Sequence, residues 1–366
     1  MKNEIRYLYT LAAVVFLTGI GLLIWFGAGA FLGRLTAAQR ATFDSIPALP
    51  AAPPCDYHRH VDGVCVESAL GVDPELVAVM IENSREAWPL TGLARAAVVY
   101  EAPVEGNVPR FLAIYVEDDR VDQAGPVRSV RPYYVDWVSE YGNIMYLHVG
   151  GSDEGLERLD AADIFDINEF YRGGYFWRSE DRSRPHNTYT SSELWQKARR
   201  DYGEFYKKDE AVDGWLFAAR APCGSASDSN VNEECVSEIT VAFLSPTYDA
   251  RWVYSTSTEK YARYQNKKLQ TDADGAAIMA DTVIVQRVRA AVIDEVGRKR
   301  IETMGKGEAT VFRNGYALKG EWRKASRQDR TQFYDENDQL IPLQPGKIWV
   351  EVVPQSVRVE TVSFKH

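Results

Sequence analysis

Residues 7–33, YLYTLAAVVFLTGIGLLIWFGAGAFLG, carry no charged side chain. A helix needs about 20 apolar residues to cross the hydrocarbon core of a bilayer, and this run exceeds that. The core of a secretory signal is usually shorter, about 7–15 residues. The run therefore predicts a transmembrane helix that is retained, with cleavage after the small residues near Ala28 and Ala30 as the alternative. No cysteine suited to lipidation ends it, since the first is Cys55.

Basic residues flank both ends, Lys2 and Arg6 before it and Arg34 and Arg40 after, so charge alone leaves the orientation balanced. The cysteines break the tie. Cys55 and Cys65 bracket CDYHRHVDGVC, and Cys223 and Cys235 bracket CGSASDSNVNEEC. Four cysteines allow three pairings, and the two local ones are expected as disulfides. A zinc site using His58 and His60 is the alternative, but CxxC spacing is missing. Disulfides persist outside the reducing cytosol. Residues 1–6 are thus read as a cytoplasmic tail, and the bulk of the chain as extracytoplasmic, anchored to the cell membrane by a single span.

Residues 34–54 end in PALPAAPP, an extended Ala/Pro-rich stalk. Beyond it, VAVMIEN, AAVVYEAPVE, RFLAIYVE and IMYLHVGG have strand length and composition, with GNVP as a turn between the second and third. Tyr134, Trp137, Val138 and Tyr141 fall at helical spacing, with Pro132 in the first turn, and residues 191–203 form a second helix opened by serine and stopped by glycine. After the second cysteine loop the character becomes strand-rich. ATVFRNGYALKGEW is an Asn-Gly hairpin. TQFYDENDQLIPL followed by GKIWVEVVP reads as another. The expected fold is a mixed α/β domain over 55–210, a connector over 211–235, a mainly β domain over 236–354 and a tail over 355–366, preceded by the transmembrane helix.

A net charge of −10, dispersed along the chain, argues against nucleic acid as a partner. Candidate chemistry lies in the first domain. Glu101 and Glu105, in YEAPVEG, have strand spacing that points both one way, although Pro103 interrupts. They are candidate acid/base groups, with His148 at a strand end and His186 in RSRPHNTY. Arg110, Arg128, Arg131 and Arg184, with Asn187, are candidate ligand-binding residues, because arginine forks suit phosphate and carboxylate. Arg128 and Arg131 flank a helix start, where backbone N–H groups also favour an anion. Each has a plainer reading: Glu101 and Glu105 as ion-pair partners of Arg110 or Arg128, His148 as a hydrogen-bonded core histidine, and the aromatic run YYVDW as core. GGSDEG lacks the lysine of a nucleotide loop, so no cofactor is expected, and no metal.

The segments VAVMIENSREAWPLTGLARAAVVYEAPVEGNVPRFLAIY, AGPVRSVRPYYVDW, MYLHVGGSDEGL and RPHNTYTSSELW resemble the YerB-like family, catalogued as domain of unknown function 3048. KGEWRKAS and LQPGKIWVEVVP are similar to that family's C-terminal domain. The resemblance spans about residues 75–354 and implies a membrane-attached envelope protein of two domains, without a known reaction. This chain departs in lacking a lipidated cysteine, and in carrying Trp88-Pro89-Leu90 where the family usually has arginine, proline and glutamine. The layout of strand, arginine-bearing segment and glycine pair is also similar to that of LytR-CpsA-Psr phosphotransferases, which hold a polyprenyl pyrophosphate with arginines.

Three functions are compatible with these residues. The first is binding of an anionic ligand, a wall polymer, lipid-linked phosphate or peptide carboxylate, through an arginine-rich cleft. The second is an enzyme acting on such a polymer with Glu101 or Glu105 as acid/base. The third is a protein–protein module.

Overall fold

The computed structural model describes residues 55–203, 214–224, 234–243 and 245–364. The expected tail, transmembrane run and stalk, residues 1–54, lie outside the described residues. Among the described residues no helix is long and apolar enough to cross a membrane.

The described part is a mixed α/β molecule with few helices, dominated by one large sheet. Its first strands are β1 (Leu76–Ile81), β2 (Val98–Pro103), β3 (Pro109–Val116), β4 (Met145–His148) and β5 (Phe165–Asn168). Its α-helices are α1 (Pro132–Val138), α2 (Asp153–Asp160) and α3 (Ser192–Tyr202); α1 and α3 match the two helices expected from sequence, and α2, which starts within GGSDEG, is additional. The later strands are β6 (Glu234–Ala242), β7 (Ala250–Ser255), β8 (Lys260–Gln265), β9 (Thr282–Val288), β10 (Gly305–Arg313), β11 (Tyr316–Lys324), β12 (Ile348–Pro354) and β13 (Arg358–Ser363). Their order across the sheet is β8, β7, β6, β11, β10, β9, β12, β2, β3, β1, β4, β5, with β13 beside β6.

β1 is apolar along its whole length because both faces are covered. Val77, Val79 and Ile81 join the core that contains Trp195 of α3, while Ala78 and Met80 join the opposite core, beneath Tyr133, Tyr134 and Trp137 of α1. Every residue of α1 is buried. The Tyr134 hydroxyl lies 2.9 Å from the Ala102 carbonyl oxygen and 2.8 Å from that of Arg110, so the helix is tied to both β2 and β3. The aromatic run therefore belongs to the core.

The Asn-Gly hairpin forms as expected, β10 pairing with β11 from Gly305↔Lys324 to Arg313↔Tyr316. The second expected hairpin does not. Gln332–Tyr334 pairs with β11, whereas β12 leaves that neighbourhood and inserts in parallel between β9 and β2. Its sequence explains the difference: IWVEVV is buried on both faces, as a central parallel strand requires, and a two-residue-period hairpin arm would leave half of it in water. Through this insertion the sheet runs without interruption from the first half of the chain into the second.

Both local disulfides are present, Cys55–Cys65 and Cys223–Cys235. The zinc alternative falls with them. His58 Nδ1 lies 3.0 Å from the Gly63 carbonyl oxygen and His60 Nδ1 lies 2.7 Å from Asp73.

Candidate functional site around Glu82

β1 and β4 run parallel but pair only over Val77↔Met145 to Val79↔Leu147, and then diverge. The segment 126–130 fills the fork. Arg128 N donates to the Met80 carbonyl and Glu82 N to that of Pro126, at 2.8 and 3.0 Å. On the other side Val149 N donates to Arg128 O and Val130 N to Gly150 O. The arginine motif is thus a wedge at the carboxyl ends of two parallel strands, the position where α/β sheets commonly bind ligands.

Glu82, the first residue beyond β1, is the hub of this place. Its carboxylate is buried and receives the Ser84 hydroxyl at 2.6 Å. His186 Nδ1 lies 3.0 and 2.9 Å from its two oxygens. Arg128 Nε lies 3.4 Å from Oε2, an ion pair without hydrogen-bond alignment. The histidine is carried there by the strand pairing of its neighbours, since Val127 N donates to Thr188 O. Among the described residues neither the two terminal amino groups of Arg128 nor Nε2 of His186 takes a partner, and both side chains are partly exposed.

The other candidate residues are placed differently. Glu101 is completely buried and faces no opening. Arg263 Nη2 holds its two oxygens at 2.8 and 2.7 Å, and Trp349 Nε1 donates at 3.1 Å. Its register partner on β12 is Glu351. Burial pushes both carboxyls up, Glu351 well above the usual range, with the neighbouring Glu101 charge adding to it. Glu351 is the carboxyl pushed up further, because Glu101 is the one forked by arginine. An acid/base role for Glu101 is thereby excluded on access.

Glu105 does not share a face with Glu101. β2 ends at Pro103, and Glu105 opens a short 3₁₀ turn. Its carboxylate is gripped by Arg131, Nε to Oε1 at 2.7 Å and Nη2 to Oε2 at 2.9 Å. Burial acts to raise the Glu105 carboxyl, but the hydrogen bonds and charge of Arg131 outweigh it and hold it below the ordinary value. This removes Glu105 as a free base and Arg131 as a free anion contact. Arg110 is buried and donates to the Ser129 carbonyl oxygen, buttressing the wedge from within. The expected cup at the start of α1 is therefore absent: the helix has only seven residues, begins with proline, and its flanking arginine is occupied.

His148 is fully buried with both nitrogens engaged, Nδ1 by the Gly150 carbonyl at 2.8 Å and Nε2 by Asp166 at 2.7 Å. It is a core histidine rather than a base. Asn187 spends its side chain locally, accepting from Arg178 and donating to the Ser179 carbonyl. Arg184 is exposed and takes no partner among the described residues. Of the four arginines and two histidines, the fold brings Arg128 and His186 together, on a carboxylate the sequence reading had passed over. The available signal was polarity: ENS follows directly on the fully apolar VAVMI.

Asn83, the next residue, accepts from Trp88 Nε1 at 2.8 Å, so a polar contact persists at the Trp88-Pro89-Leu90 step. Trp88, Pro89 and Leu90 line one wall of a neighbouring cleft of about 420 Å³, opposite residues 265–271.

Comparison with known proteins matches residues 66–204 to "Protein of unknown function (DUF3048) N-terminal domain" and residues 239–350 to the corresponding C-terminal domain. The Bacillus subtilis protein named "Putative lipoprotein YerB" is 29% identical over 282 residues, covering 76% of this chain and 81% of that protein. The crystal structure of YerB from Bacillus subtilis superposes with a TM-score of 0.70 at 25% identity, covering 83% of this chain and 99% of the other. The whole Glu82 cluster lies within the first matched region.

Proposed function

This chain belongs to the DUF3048 family, and from that premise we propose that it is a membrane-anchored, extracytoplasmic envelope protein that binds an anionic group at Arg128. The location rests on three supports: the uncharged run over residues 7–33, the two disulfides, and a relative named as a lipoprotein. The observation that carries the ligand class is the state of Arg128. Its Nε is braced against Glu82, while its two terminal amino groups take no partner among the described residues. A guanidinium held in that way presents a preset fork to a phosphate or carboxylate. His186 Nε2, beside it, adds a second polar contact. A wall polymer or a lipid-linked phosphate supplies such a group at the membrane surface.

Titration of the full-length chain in detergent micelles with inorganic phosphate and with pyrophosphate tests this reading. Arg128→Ala is expected to lose about tenfold or more in affinity, the scale of one charge-assisted hydrogen bond, while exposed Arg184→Ala changes it far less. Full affinity in a folded Arg128→Ala protein would remove the proposal.

A second reading, turnover of the bound polymer, draws on the fixed ring of His186. A carboxylate on Nδ1 orients a histidine so that Nε2 meets the substrate, as a general base requires. Release of product from cell-wall material by the wild type, lost in His186→Asn, would favour it over binding alone.

A further inference from the structure

The loop that leaves β5 exposes two consecutive aromatic side chains, Phe170 at 66% and Tyr171 at 85%. A single exposed ring is ordinary, but a pair held in place beside a candidate site asks for a reason. These are held. Asn168 Oδ1 accepts both Gly150 N and Phe170 N, at 3.0 and 3.2 Å, which locks the exit of β5 to the glycine turn after β4. Tyr171 N donates to the Asn168 carbonyl oxygen. The Phe170 ring lies against the Gly150 backbone so closely that a Cβ there would stand 2.6 Å from its edge. Gly150 has a φ of +57°, so only glycine suits both its backbone and the ring above it.

Hydrogen bonds connect this loop to the arginine site. Glu169, adjacent to Phe170, pairs with Arg178 at 2.9 Å, and Arg178 also donates to Asn187, the neighbour of His186. On the opposite side, Gly150 follows Val149, whose N–H donates to the carbonyl of Arg128. The seated Phe170 ring, the exposed Tyr171 next to it in sequence and the partly exposed Arg128 therefore lie at the same end of the parallel strands.

We propose that Phe170 and Tyr171 form a sugar subsite next to Arg128, so that the ligand is an anionic glycan, a pyranose unit bearing a phosphate or carboxylate. This rests on the anion-binding reading above and narrows it. The C–H face of a pyranose is apolar and weakly positive and settles on the negative face of an aromatic ring, while its hydroxyls need donors and acceptors at the rim. His186 Nε2, which takes no partner among the described residues, is of that kind. A nucleotide would also combine stacking with phosphate; the proposed extracytoplasmic location, which the disulfides support, favours the glycan.

The test is titration of the full-length chain in detergent micelles with four probes: inorganic phosphate, N-acetylglucosamine 1-phosphate, N-acetylglucosamine and uridine monophosphate. The sugar phosphate is expected to bind about tenfold more tightly than phosphate, the scale of one aromatic stacking contact. Tyr171→Ala and Phe170→Ala should each erase most of that advantage and leave phosphate affinity unchanged, with circular dichroism showing an intact fold. Equal affinity for phosphate and sugar phosphate, or uridine monophosphate binding as tightly as the sugar phosphate, overturns the glycan assignment and leaves the anion site standing. Sugar phosphate affinity that depends on Tyr171 but not on Arg128 overturns the anion reading instead. Absence of binding by all four probes overturns both.

Discussion

Glu101 and Glu351 stand opposite each other on adjoining parallel strands, both without solvent exposure, and Arg263 is the cation beside them. One strand comes from the first half of the chain and one from the second, so this cluster sits where the halves are joined. Arg263→Met should be among the most damaging single changes. It leaves two buried carboxyls without their cation, a loss of about 3–5 kcal/mol in chemical denaturation.

Glu351→Gln should behave quite differently. The Glu351 carboxyl is raised in the folded state by burial first and then by Glu101, so the native protein holds a proton that the unfolded chain releases near the ordinary value of 4.5. Its stability is therefore fully present below 4.5 and declines as pH rises towards the folded value. The amide mimics the protonated acid, so the variant should lose less than about 1 kcal/mol at pH 4 and should overtake the wild type as pH increases. A parallel pH dependence for the two proteins would show that Glu351 is ionised.

Glu105 shows the opposite sign. Its folded carboxyl lies below the ordinary 4.5, because Arg131 outweighs burial. The stabilisation is complete above 4.5 and is lost as pH falls through the lower folded value. Arg131→Ala should cost about 1 kcal/mol at neutral pH, in keeping with a partly exposed forked pair, and much less in acid. Urea titrations of both proteins at pH 7 and pH 3 measure the difference.

Glu82 should fix the tautomer of His186. With carboxylate oxygens at 2.9 and 3.0 Å from Nδ1, the neutral ring carries its proton there and leaves Nε2 as an acceptor. Long-range ¹⁵N NMR of the imidazole should report this tautomer in the wild type and a mixture in Glu82→Gln. An Nε2–H ring in the wild type would contradict the geometry.

Replacing Cys55 and Cys65 together by alanine should cost about 2–3 kcal/mol, the scale expected for a short closed loop. Treatment of the Cys55/Cys65 double variant with a thiol reductant then reads the remaining Cys223–Cys235 bridge, and reduction of the wild type should cost at least as much as the double variant. If reduction leaves the denaturation midpoint unchanged, neither bridge contributes anything measurable.

Much of the fold was legible from local pattern. Continuous apolar runs marked β1 and β3, an Asn-Gly step marked the turn between β10 and β11, and cysteine spacing marked both bridges. These features depend on residues close together in the chain. The site was less legible. Arg128 and Arg131 are three residues apart and look alike in sequence, yet one faces outward and the other is consumed by Glu105. Glu82 and His186 are 104 residues apart, and no periodicity links them.

By itself the sequence determined which segments are apolar enough to be buried strands, which cysteines can pair locally, and which residues are chemically able to hold an anion. Only the tertiary structure decided that β12 enters the centre of the sheet in parallel, that Glu101 meets Arg263 rather than a substrate, and that Arg128 keeps its terminal amino groups outward. The physical reason is that burial and turn formation follow from side-chain chemistry and short-range geometry. The partner of a charged group is set by whichever distant segment the folded chain places within 3 or 4 Å of it.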